Sequence, residues 1–202
     1  MEGDSLAPPC QSEDDVISNI LDLVSENYSA LVRSNESSLP ADSVPVLYDL
    51  GCGDGRICIE ACRRYKNMWG KGCEIEESLI ARMHRNIAKF NLSERVSALH
   101  DDLRSLCLDD AHFIVVYLLP ESVAEIKGKL IHALLTNHGG RGCVIIFNTW
   151  GIKDPHITPK LKISCGYNEN TSLFLYDRSS VSEGYCDTYP DADVLPASSG
   201  SS

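Results

Sequence analysis

The sequence predicts an α/β fold, a mostly parallel sheet covered by helices on both faces, and three observations carry that expectation. Short apolar runs bounded by turn residues alternate with segments whose apolar residues recur every three or four positions. A glycine-rich stretch, Asp49-Leu50-Gly51-Cys52-Gly53-Asp54-Gly55, separates the first apolar run from the helical pattern after it. Acidic residues stand at the ends of the first three runs, at Asp49, Glu74 and Asp101-Asp102. With 202 residues, 43% of them hydrophobic, the chain is long enough to bury one substantial core, so a single domain is expected.

The elements follow in order. Ile17, Ile20, Val24, Tyr28 and Leu31 recur on one helix face between Asp15 and Arg33, which predicts a leading amphipathic helix. Val44 to Tyr48 is a short buried strand that stops at the glycines. Ile57, Cys58, Ala61, Cys62 and Tyr65 mark the next helix, and Gly72 to Ile75 the second strand. A helix with Leu79, Met83, Ile87 and Phe90 inward ends near Asn91, before a third strand from Val96 to His100. Phe113 to Leu119 is the most apolar strand, Ser122 to Asn137 a helix, and Cys143 to Asn148 a fifth strand. Leu161 to Cys165 and Ser172 to Tyr176 flank a polar turn and predict a closing hairpin. The expected organisation is a disordered acidic N-terminus over residues 1–13, a domain over 14–178, and a disordered acidic, Ser-rich tail over 179–202.

The formal charge of -11 is concentrated in the two ends. The remainder carries 18 basic and 20 acidic residues, too balanced for a bulk field that would attract a phosphate backbone, and no nucleic-acid partner is expected. No apolar run reaches the roughly 20 residues that cross a bilayer. The start is acidic, with no Lys or Arg before Arg33, so neither a secretory signal nor an Arg-rich presequence is expected. A cytoplasmic location follows, with the nucleus as the alternative. The nine cysteines contain no Cys-x-x-Cys pair, and Cys58-x-x-x-Cys62 lacks a third partner, so no metal site is expected and the thiols read as small buried hydrophobes.

In a parallel sheet of this kind ligands bind beyond the carboxyl ends of the strands. Gly51-x-Gly53-x-Gly55 departs from the dinucleotide fingerprint, which needs its third glycine where this chain has Arg56. Asp49 would repel a pyrophosphate, but it suits the cationic amino group or sulfonium of S-adenosylmethionine (SAM). Glu74 lies about where a carboxylate accepts from both ribose hydroxyls, and Asp102, preferred to Asp101, is a candidate acceptor for the adenine amino group. The expected cofactor set is Asp49, Gly51, Cys52, Gly53, Gly55, Glu74, Ile75, Asp102, Leu103 and Tyr117.

This combination resembles the class I SAM-dependent methyltransferases from about Val44 to Asn148. The resemblance implies a Rossmann-like, doubly wound sheet of about seven strands with the last antiparallel, and SAM across the ends of the first, second and fourth strands. Tyr48 to Ile57, Val116-Tyr117-Leu118-Leu119-Pro120-Glu121 and the Lys127-x-Lys129-Leu130 pattern look like the small protein-lysine methyltransferases of adenine nucleotide translocase and ATP synthase c subunit type, and their bacterial relatives. Phe147 and Trp150 resemble the aromatic pair after strand five in those proteins. The Pro-rich segment they carry before the first strand has no counterpart here, nor do their membrane-targeting features. A mitochondrial location is what the resemblance implies, and the acidic start does not match it.

Methyl transfer from a sulfonium is an in-line displacement that needs a neutral nucleophile held in place and water excluded. Leu118, Leu119 and Pro120 would line an apolar slot that favours a deprotonated lysine amine, and Glu121 is a candidate contact for the substrate cation. The slot lacks the Asn or Asp, followed by Pro-Pro and an aromatic, that amide- and adenine-directed enzymes use. A protein-lysine acceptor is therefore expected. The alternatives are a small-molecule acceptor and a non-catalytic SAM-binding partner subunit.

Overall fold

A computed structural model describes residues 13–33, 44–183 and 185. Seven strands form one sheet: β1 (Val46–Leu50), β2 (Trp69–Glu74), β3 (Val96–His100), β4 (Phe113–Val116), β5 (Val144–Asn148), β6 (Leu161–Cys165) and β7 (Thr171–Tyr176). Their spatial order is β3-β2-β1-β4-β5-β7-β6. All pairings from β3 to β5 are parallel, and β7 runs antiparallel between β5 and β6. The order reverses direction between β1 and β4, which opens the crevice where such sheets bind ligands.

Alternation of side chains sorts the core into two layers. Leu47, Phe113, Val115, Ile146, Leu173 and Leu175 face α1 (Asp14–Arg33), α2 (Arg56–Arg64) and α3 (Glu77–Lys89). Tyr48, Leu50, Ile114, Val116, Ile145 and Phe147 face α4 (Pro120–Gly140). The expected doubly wound sheet with its last strand antiparallel is thus the observed one, with β7 inserted between β5 and β6.

Several local expectations shift. β1 lies two residues further along than expected, because Val46 through Leu50 all pair with β2. β2 begins at Trp69 and leaves Ile75 outside the ladder. On α3 the inward position is Ile80 and not Leu79, since Ile80, Met83 and Ile87 are the buried residues, and Phe90 lies past the helix end. Sheet pairing of β4 stops at Val116, so Tyr117 to Leu119 form a connector into α4 and not strand. The Leu31 side chain, residues 1–12 and residues 186–202 lie outside the described residues.

The expected tail boundary at residue 179 is also corrected. Val181 forms a bridge with Ile157, and Tyr185 is buried with its hydroxyl donating to Asp154 Oδ2 at 2.7 Å. Lys127 Nζ, from α4, donates to the same oxygen at 2.9 Å. Each of these contacts joins residues about 25 to 30 positions apart in the chain, so no local pattern announces them.

At the amino ends of the strands α4 stops in a tight knot. Asn137, His138 and Gly139 leave helical geometry, and Asn137 Nδ2 donates to the Leu108 and Ala111 carbonyls. Gly142 has φ +81, and a Cβ there would collide with the Leu134 carbonyl. His112 is buried, its ring centroid 3.7 Å from that of His138, and its Nδ1 accepts from Val46 N–H at 3.2 Å. Burial first, and the neighbouring His138 second, push the His112 pKa down to about 4.

Two outcomes are expected. Gly142→Ala meets both the wrong φ and a backbone oxygen, and should lower stability by about 2–4 kcal/mol in urea denaturation. For His112 the folded pKa lies below the ordinary 6.5, so its stabilising neutral form is fully favoured above pH 6.5. That contribution is lost as the pH falls from 6.5 towards 4, on the order of 2 kcal/mol, and His112→Asn, which keeps an acceptor for Val46, should flatten this part of the stability profile.

Candidate active site

The glycine turn after β1 is built by backbone chemistry. Gly51 N–H and Cys52 N–H both donate to Cys73 O, at 2.9 and 3.0 Å, which folds the turn over the end of β2. Gly51 has φ +75, and a Cβ on it would stand 2.8 Å from Leu118 Cδ2. The positive φ is what favours glycine here, and a side chain would also displace the end of Leu118. Gly53 has φ +56 with open space where a Cβ would be, so the outer face of the turn is accessible to a ligand. Gly55, at φ +81, packs on Met83 and leads into the N-terminal amides of α2. The Cys52 side chain points into the core beside Met83 Sδ, 3.5 Å away, so only its backbone faces outward.

Asp49 sits beneath this turn, between Gly72 on β2 and Val115 on β4, and is 2% exposed. Desolvation, with smaller repulsion from Glu74 and Asp54, pushes its carboxyl up to about 7. A cation placed beside it would restore the charged form. Asp54 is held by Arg56 Nε at 3.2 Å, and Asn86 Nδ2 donates to the Asp54 carbonyl at 3.0 Å, tying the turn to α3.

Glu74 closes β2 and reaches back to the glycine turn: Gly53 N–H donates to Oε2 at 3.0 Å, while Ile75 N–H and Glu76 N–H donate to Oε1 at 2.8 and 3.1 Å. The Ile75 side chain is 39% exposed next to it, an apolar surface of the kind an adenine face covers. Asp102 lies at the end of β3, as expected, but is engaged locally. Arg104 Nε donates to both its oxygens at 3.0 Å, and that pairing holds its carboxyl below the ordinary range. Asp101 instead accepts from Ser105 Oγ at 2.8 Å, and Leu103 packs on the α4 layer.

The fourth strand brings the predicted slot to the same place. Leu118 covers Gly51, Leu119 stands at the N-cap of α4, and Pro120 opens that helix. Glu121 is exposed in its first turn, where an acid is favoured by the helix dipole. Tyr117 stacks on Trp150, with centroids 6.4 Å apart at 25°. Sequence reasoning missed how Trp150 is held. Thr149 has φ +73, a conformation costing a β-branched residue about 1–3 kcal/mol, and Trp150 N–H donates to Asn148 O at 3.0 Å across it. Nothing in the residue types signals this turn.

Six of the seven described cysteines (Cys52, Cys58, Cys62, Cys73, Cys143 and Cys165) are buried and all seven are free, and among the described residues no cluster of His, Cys, Asp or Glu could hold a metal ion. No helix among the described residues is long and apolar enough to cross a membrane.

A family described as the ANTKMT methyltransferase domain matches residues 49–158, from the buried acid through the loop after β5. A protein-lysine N-methyltransferase of Saccharolobus islandicus (strain REY15A) is 28% identical over 131 residues, 65% of this chain and 78% of that protein. Among solved structures, an RNA methyltransferase from Salinibacter ruber in complex with S-adenosyl-L-homocysteine is similar with a TM-score of 0.67 at 21% identity, over 92% of this chain and 99% of that one. A putative methyltransferase from Escherichia coli, yhhF, gives 0.55 at 13% identity, over 84% and 89%. At such identities the solved structures speak to the fold, and the family match speaks to the chemistry. The chain belongs to the ANTKMT methyltransferase domain family and is a SAM-dependent methyltransferase.

Proposed function

We propose that this enzyme methylates the side-chain amine of a protein lysine. The observation that carries the reading is the meeting of the glycine turn with Leu118: the segment that adjoins the cofactor turn is Tyr117-Leu118-Leu119-Pro120, apolar and without the Asn or Asp that would hold an amide or an exocyclic amine. The name of the 28% identical relative points the same way.

The residues fit the cofactor. Gly51 and Gly53 let the backbone approach it, Glu74 offers a carboxylate for the ribose hydroxyls, Ile75 offers an apolar face, and the buried Asp49 carboxylate suits the cationic amino group or sulfonium. Asp102 serves the adenine amino group only if it shares its oxygens with Arg104. SAM supplies a methyl group on a positively charged sulfur. Leu118, Leu119 and Pro120 exclude water and disfavour the ammonium form of the incoming lysine, so that a neutral amine meets the methyl group in line. The ammonium proton passes to solvent before the transfer, the product is a methylated ammonium, and the exposed Glu121 carboxylate is the candidate that attracts the cationic lysine. No dedicated base is required for this displacement.

The test is transfer of labelled methyl from SAM into total protein of a cell extract, read by mass spectrometry. Methyl-lysine formed by the native enzyme is expected; label in a small metabolite, or in RNA, would replace the reading. Glu74→Ala should weaken SAM binding at least tenfold by calorimetry, and Glu74→Gln less, since it keeps acceptor capacity, with melting temperatures recorded for both because Glu74 also ties Gly53. The SAM affinity should rise from pH 6 to about 7 and then level off. Below pH 7 the desolvated Asp49 is protonated in the free enzyme, and the bound cation must drive the proton off. Asp49→Asn should bind more weakly at pH 8 and lose this pH dependence.

A further inference from the structure

We propose that the turn at Asn148, Thr149 and Trp150 is a positioning device for the acceptor: Thr149 holds Trp150 against Tyr117, and the two rings form one wall of the slot through which the amine reaches the methyl donor. The proposal rests on the lysine reading for the acceptor's chemistry, an alkyl chain ending in an amine.

The turn is over-determined from both sides. Its strained centre, Thr149 at φ +73, donates its N–H to Ser172 O at 2.8 Å, at the start of β7, and its hydroxyl to Asn148 Oδ1 at 3.1 Å. Asn148 is buried and paired in register with Leu173. Beyond Trp150, Gly151 sits where a Cβ would collide with Tyr176 Oη, and Ile152 N–H donates to that same oxygen at 3.0 Å. The β5–β7 ladder thus anchors the chain before and after Trp150. Trp150 itself is 36% exposed, and its ring lies on Tyr117.

Tyr117 immediately precedes Leu118, the residue that covers Gly51, and its carbonyl lies 3.9 Å from where a Cβ on Gly51 would stand, so the backbone that carries this ring borders the glycine turn. A flat aromatic wall contacts methylene groups along its face and attracts a cation through its negative π surface. A glycine at position 149 would adopt this φ without strain. A β-branched residue is held there by its neighbours, and what it gains is a fixed direction for the indole.

The chain has two tryptophans, so Trp69→Phe, at an exposed site on β2, leaves Trp150 as the single tryptophan, excited selectively over the tyrosines at the red edge of the absorption. In that background Thr149→Gly keeps the positive φ but removes the hydroxyl and the branch. Time-resolved anisotropy should then show the Trp150 indole gaining fast motion, with at least twice the sub-nanosecond amplitude. With total extract protein as the methyl acceptor, the apparent KM should rise about tenfold while kcat changes less than threefold and SAM affinity by calorimetry is unchanged. Trp150→Ala should raise KM at least as far, and the double variant no further than Trp150→Ala alone, since Thr149 acts only through that ring. An indole as rigid as before in Thr149→Gly, additive losses in the double variant, or a parallel loss of SAM affinity would overturn the proposal. If the native enzyme places no label in extract protein, the lysine reading fails, and the anisotropy still decides for or against the role of Thr149.

Discussion

One carbonyl organises the active edge of this protein. Cys73 O accepts from both Gly51 and Cys52, and those two bonds bend the chain after β1 across the end of β2. Gly51 takes φ +75, which favours glycine, and the absence of a side chain lets Leu118 and the β4 connector lie close against the bend. Glu74 then reaches Gly53 because the turn has been drawn over its strand. Asp49, roofed by the same turn, loses its water and with it much of its preference for the charged form. The glycine turn, the reach of Glu74 and the seat of the β4 connector are three consequences of one piece of backbone geometry.

The two edges of the sheet use strain differently. At the amino edge, Gly142 and the residues after Thr136 turn α4 back under the sheet, and His112 is held neutral in the packing there. That knot closes the fold. At the carboxyl edge the unusual backbone belongs to Thr149, beside Trp150 and Tyr117, where packing leaves a ring partly exposed to whatever approaches. The antiparallel β7 makes this second feature possible. It brings Ser172 against the last residues of β5, which a parallel neighbour in the same place would not do with the same bond pattern.

The formal charge is concentrated in the two ends of the sequence. Among the described residues the local arrangement of a few carboxylates sets how charge is presented at the site. Asp49 is buried and desolvated, Glu74 is tied to three amides, and Asp102 is matched by Arg104. The same residue type at three strand ends therefore presents three different environments to a ligand.

Much of this was present in the sequence. The alternation of apolar runs with helical periodicity determined the parallel sheet, because buried strands and amphipathic helices differ in period. The spacing of Asp49, the glycines and Glu74 marked the strand ends that the tertiary structure brings together, since positive φ in the turn favours glycine and the acids end their strands. Resemblance of Val116 to Glu121 to a known family singled out the connector that meets Gly51. Register and long-range closure were decided only by the tertiary structure. Ile80 rather than Leu79 faces inward because the helix is rotated by its packing on β3 and β2, and both residues are equally apolar in the sequence. Val181 and Tyr185 are ordered by Ile157 and Asp154, partners no local window contains. Asp102 is paired by a neighbour, Arg104, whose direction depends on the turn after β3. Thr149 takes a positive φ because β7 fixes its amide, and a hydrogen bond across the sheet outweighs the intrinsic preference of a single residue.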